Sequence, residues 1–145
     1  MASDGARRLL ERITSVAPTR YLVRTDTGDE RYVFCAYDAL LVAHLLLEPV
    51  RLQASPPRGA AFDFVIAPDS AGGEVRWLTF VESAAALPAI PGMPSPRCPF
   101  MHLFVTSDDA WWWRDELPER IAGLVSILTY AEAWRRARDQ VVATL

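Results

Sequence analysis

The sequence predicts an α+β fold: a mixed, mostly antiparallel sheet with helices packed on it. Three observations lead there. Residues 21–34 read as a hairpin around a glycine turn. Three further short strand segments, 50–55, 61–67 and 75–80, are separated by proline- and glycine-rich loops. Helical patterns stand before, between and after these strands. With 145 residues, the chain has the length of one domain that buries a single core, so residues 1–145 are read as one unit.

Each element has its own warrant. Residues 4–16 place Leu9, Leu10, Ile13 and Val16 at helical spacing with Arg7, Arg8, Glu11 and Arg12 between them, and Pro18 follows. In the hairpin, Asp26-Thr27-Gly28-Asp29 supplies the turn chemistry. Residues 35–47 are rich in Ala and Leu and almost wholly apolar, which favours a buried helix; Pro49 stops it. Five prolines between residues 87 and 99 predict a long, rigid loop ending at Cys98. Residues 100–106 are apolar on both faces, as expected of a central strand. Ser107-Asp108-Asp109 opens a helix to about Leu117, and residues 123–128 form another short apolar run read as a strand. Thr129 with Glu132 has capping-box spacing, so a last helix runs from there to about Thr144.

Composition excludes several functions. All fifteen basic residues are Arg, which removes Schiff-base chemistry on lysine and any P-loop lysine. The net charge is −3 and no basic–aromatic cluster stands out, so nucleic acid is not an expected partner. No apolar stretch reaches membrane-spanning length, and the start does not read as a signal peptide. A cytoplasmic protein with no membrane partner is expected, and in that compartment thiols stay reduced.

Two cysteines, Cys35 and Cys98, stand 63 positions apart. They are too few for a disulfide scaffold. Cys35 lies where a strand gives way to a helix, and Asp38 follows one turn later, so thiol and carboxylate can share a helix face. The helix N-terminus favours a thiolate, while the carboxylate raises the thiol pKa and can exchange its proton. Taken alone, this motif is explained as well by a buried cysteine and an ordinary first-turn aspartate. Cys98 is held by prolines. If the following strand reaches back to it, Cys98, Phe100, His102 and Phe104 share a face, and His102 is either a base or ligand or a packed, hydrogen-bonded histidine. His44 is a weaker candidate, and the Trp run 111–113 reads as core plus surface cover. Two thiolates suit a soft ion such as Cu(I) or Hg(II); His102 would be needed to complete a four-ligand zinc set.

These residues resemble a known family. Tyr32-Val33-Phe34-Cys35-Ala36-Tyr37-Asp38-Ala39-Leu40-Leu41 is similar to the signature of the alkylmercury (organomercurial) lyases, and Cys98-x-x-x-His102-x-Phe104 to their second motif. Trp113, the run 123–126 and Glu132-Ala133 are similar to the family's end, so the resemblance covers roughly residues 15–140. It implies cleavage of a carbon–mercury bond by protonolysis without a cofactor. Cys35 and Cys98, together with Asp38, would hold the substrate or product mercury, and Asp38 would also transfer the proton, with Tyr37 and His102 as candidate supporting residues. Free thiols would act as co-substrate, and Hg(II) would remain bound as product until a low-molecular-weight thiol or a mercuric reductase removed it.

The chain also departs from the family. Only the helix near residues 4–16 stands where relatives carry an N-terminal helical domain. That would leave an apolar face uncovered, through which a homodimer could form. A further family cysteine falls on Pro56 or a neighbour. The prolines around Cys98 and the Trp run could reshape the pocket. Two rival readings follow: a non-catalytic carrier of a soft metal or thiol-reactive ligand, and a lyase or isomerase acting on an organic biosynthetic substrate.

Overall fold

The computed structural model describes residues 3–144. Met1, Ala2 and Leu145, which the one-unit reading includes, lie outside the described residues. The first helix, α1 (Asp4–Ile13), is capped by Ser3, whose Oγ accepts from the Ala6 amide at 3.1 Å. It buries Ala6, Leu9 and Ile13. The helix stops three residues before the expected end. Thr14 and Ser15 instead form a short strand β1 (Thr14–Ser15) that pairs with β3 (Glu30–Val33). Val16 thus stands in solvent, not on an apolar helix face.

The predicted hairpin is β2 (Tyr21–Thr25) with β3, in antiparallel register from Tyr21 opposite Val33 to Arg24 opposite Glu30. Gly28 takes the left-handed conformation its turn requires (φ 92°) and donates to the Thr25 carbonyl at 3.0 Å. The strands β4 (Val50–Ala54) and β5 (Phe62–Ile66) extend this sheet in the order β1-β3-β2-β4-β5. In β4, Val50, Leu52 and Ala54 face the core and Arg51 and Gln53 face water, the period-2 pattern of a half-covered sheet.

The helix α2 (Ala36–Leu46) covers that inner face and is buried at every position from Ala36 to Leu45. It packs on β2, β4, α1 and the last helix, α5 (Tyr130–Thr144). This explains why its sequence shows no polar stripe. It ends at Leu47, a non-glycine residue in the left-handed conformation (φ 55°).

A second antiparallel sheet has the order β7-β6-β8, with β6 (Trp77–Val81) in the middle, β7 (Leu103–Phe104) and β8 (Val125–Thr129). Here the expectation of a central strand over 100–106 fails. Cys98–Phe100 form a 3-10 turn, Thr106 caps the next helix, and only two residues between them pair, at the sheet edge. The stretch looked central because Met101, His102, Leu103 and Phe104 are all buried, although most of that cover is not sheet. The helix α3 (Ser107–Asp115) follows. A short helix α4 (Glu119–Ala122), which nothing in the sequence pattern predicted, begins after Pro118 and caps on Gly123, so β8 starts two residues later than expected. Thr129 accepts from the Glu132 amide at 3.2 Å and starts α5 as its spacing predicts. One core cluster joins α1, α2, α5 and both sheets; Val81, Leu87, Ile121 and Val125 form a smaller one.

Candidate active site

Cys35 stands two residues past β3 as the N-cap of α2, in extended conformation (φ −151°, ψ 171°), with Asp38 in the first helical turn. Cys98 opens the 3-10 turn at the end of the proline-rich loop. That turn is built by successive backbone bonds: Cys98 N–H to the Ser95 carbonyl, Phe100 N–H to Arg97, and Met101 N–H to Cys98. The Ala36 amide, one of the unpaired donors at the start of α2, then donates to the Met101 carbonyl at 3.1 Å. This bond joins the two thiol-bearing segments. One ligand atom each from Cys35, Asp38 and Cys98 lies within 4.8 Å of the others. All three residues are buried, at 0%, 5% and 2% exposure, and both cysteines are free thiols.

Burial sets the electrostatics. It pushes the Asp38 carboxyl up to about 7; the Cys35 thiol, the backbone at Cys35 and Phe34, and the Arg97 charge pull the other way. Asp38 Oδ2 has no hydrogen-bond partner among the described residues. The Cys35 thiol is pushed well above its ordinary value, first by burial and then by its hydrogen bond to Cys98 and the charges of Asp38 and Cys98. The α2 N-terminus therefore does not yield a free thiolate here, because desolvation outweighs it. Near pH 7 the cluster holds protons that can be passed between sulfur and carboxylate.

A cavity of about 200 Å³ leads to Asp38 and Cys98. Leu9, Ile13, Leu41 and Met101 give it apolar walls, while Arg12, Arg97, Tyr37 and Gln140 add polar groups. Tyr37 donates to Gln140 Oε1 at 2.9 Å, and burial raises its phenol to about 12, so it remains a neutral donor beside Asp38.

His102 is not part of the three-residue cluster and does not share a strand face with Cys98. Its Nε2 donates to the Pro99 carbonyl at 2.9 Å, and its Nδ1 accepts from the Tyr21 hydroxyl at 2.7 Å. Burial lowers its pKa to about 4, so the neutral ring with the proton on Nε2 fits both bonds. Both ring nitrogens are thereby engaged, and His102 ties the Cys98 turn to β2. Trp113 packs its edge on His102 at 5.0 Å, whereas Trp111 and Trp112 lie at the surface. His44 donates to the Trp134 carbonyl and lies outside the cluster. The sequence reading overlooked Arg12 and Arg97. The available signal was the position of Arg97 itself, a charge directly beside a candidate thiol.

Comparison with known proteins bears on the fold and the family. No curated protein sequence matches the chain. Among solved structures, the crystal structure of the mercury-bound form of MerB2 is similar in fold, with a TM-score of 0.61 at 16% sequence identity. The similarity covers 90% of this chain and 62% of that one, so the chain spans less than two thirds of the MerB2 length. The sequence pattern of the family MerB, alkylmercury lyase, matches residues 14–142, a span holding Cys35, Asp38 and Cys98. With that match over most of its length, the chain belongs to the alkylmercury lyase family.

Proposed function

We propose that this protein cleaves carbon–mercury bonds by protonolysis, with Cys35 and Cys98 holding mercury and Asp38 moving the proton. The observation that carries the reading is the buried cluster of two free thiols and one carboxyl within 4.8 Å, placed at the end of a cavity.

The chemistry balances without a redox step. An organomercury cation R–Hg⁺ exchanges its ligand for one thiolate, and the thiol proton passes to Asp38. The second sulfur adds to mercury and releases its proton to solvent. Asp38 returns its proton to the carbon as the carbon–mercury bond breaks. The products are R–H, Hg(II) held by two sulfurs, and one proton; mercury stays divalent throughout. A carboxyl near 7 suits this double duty, since general acid–base catalysis works best when the group's pKa lies near the working pH. Thiolate donation to mercury raises electron density at the bound carbon and favours its protonation. A low-molecular-weight thiol or a mercuric reductase would then take Hg(II) from the two sulfurs. A reducing compartment such as the cytoplasm fits two free thiols.

The test is incubation with phenylmercury and excess thiol while benzene release is followed. Turnover that vanishes in Cys35→Ser, Cys98→Ser and Asp38→Asn supports the reading. Tight Hg(II) binding with no benzene would overturn the lyase step and leave a soft-metal carrier.

A further inference from the structure

We propose that the cavity before Cys98 selects organomercury compounds whose organic group carries a carboxylate, held by Arg97 and Arg12. The mercury end of this inference rests on the lyase reading; the anion site rests on the cavity alone.

Size comes first. A cavity of roughly 150 Å³ accommodates a benzene ring. At about 200 Å³, this one has room for a ring and one small planar substituent. Its apolar side, with Leu9, Ile13 and Leu41, suits the ring.

Charge decides the substituent. Arg97 is half-buried, and its Nε is enclosed with no hydrogen-bond partner among the described residues. One Nη touches Met101 Sδ at 3.7 Å, a weak acceptor. The guanidinium lies 5.1 Å from the Phe80 ring centre, which orients it. No ion pair joins Arg97 to Asp38 or to any other carboxylate among the described residues. Arg12 lines the same cavity from the last turn of α1, and it too meets no carboxylate among the described residues. A guanidinium fork is matched by a planar carboxylate, and such charge-assisted bonds are about twice as strong as neutral ones. Two cationic forks beside an apolar wall in a cavity that reaches Cys98 therefore describe an aryl or alkyl carboxylate bearing mercury.

The experiment compares phenylmercury with 4-carboxyphenylmercury. Equilibrium binding is measured in Asp38→Asn, where proton delivery is slowed, by competition against 2-mercaptoethanol, a thiol without charge. Hydrocarbon release is measured in the native protein. The carboxylate compound is expected to bind about tenfold tighter or more. That preference should collapse toward unity in Arg97→Gln/Arg12→Gln. Arg12 is exposed, so Arg12→Gln alone gives a readable partial loss even where the double variant folds poorly. Equal affinity for the two compounds, or a preference that survives both substitutions, overturns the anion site and leaves the lyase reading intact. A clear binding preference without hydrocarbon release overturns the lyase reading and supports the anion site.

Discussion

Tyr21 on β2 and His102 before β7, 81 positions apart, share a buried 2.7 Å hydrogen bond that links the two sheets beside the Cys98 turn. The Tyr21 oxygen also accepts from the Leu103 amide at 3.3 Å, and His102 passes the restraint on to Pro99. Tyr21→Phe removes one donor and one acceptor and leaves both partners buried and unpaired. A loss of about 1–3 kcal/mol is expected in denaturant unfolding. If His102 holds the turn only through this bond, the variant should also weaken Hg(II) binding at saturating stability, read by thiol competition at low temperature. Unchanged Hg(II) affinity would show that Pro99 is held well enough without it.

Asp38 makes stability depend on pH in the direction opposite to most aspartates. Its carboxyl rises from an ordinary 3.8 to about 7 on folding, so between those values the native state binds more protons than the unfolded chain. Below about pH 4 both states are protonated and nothing is lost. As pH climbs through 4 to 7, stability falls, by roughly 3–5 kcal/mol in total. Asp38→Asn should abolish most of that slope and be the more stable protein at pH 8. Urea midpoints at pH 4.5 and pH 8 measure it.

The same group shapes the rate. The free protein must hold Asp38 ionised to accept a thiol proton, so kcat/KM for organomercurial cleavage should rise with pH through about 7. Asp38→Asn should lower cleavage by about 10²–10⁴-fold and remove this limb. A profile flat from pH 5 to pH 9 would place the proton elsewhere.

Leu47 is an exposed residue in a backbone region that favours glycine. Its side chain buries little there, and the left-handed conformation costs about 1 kcal/mol for residues with a Cβ. Leu47→Gly should therefore stabilise the fold by roughly 0.5–1 kcal/mol, seen as a higher Tm with activity unchanged.

Local chemistry was legible in the sequence; long-range approach was not. Cys35 and Asp38 lie one helical turn apart, and helix geometry alone brings them together. The hairpin, the buried helix and the Thr129 cap were readable for the same reason, since each depends on neighbours in the chain. The meeting of Cys98 with Cys35 depends on a main-chain bond between Ala36 and Met101, to which side-chain identity contributes no signal. Residues 100–106 were misread because burial by helix, turn and sheet leaves the same apolar run as a central strand. The helix α4 is only four residues long, about one turn, too short for a helical period to repeat. Arg97 sits in a proline-rich loop, where a charge ordinarily faces water, and only the cavity distinguishes it from its surface counterparts.

The bond between Ala36 and Met101 also separates two evolutionary problems. Main-chain atoms hold the sulfur-bearing segments together, so their spacing tolerates changes in the side chains around them. Arg12, Leu9 and Gln140 belong to α1 and α5, which contribute nothing to that bond. Substitution at Arg12 or Gln140 would therefore alter the cavity wall without touching the main-chain bond that brings the two thiol-bearing segments together.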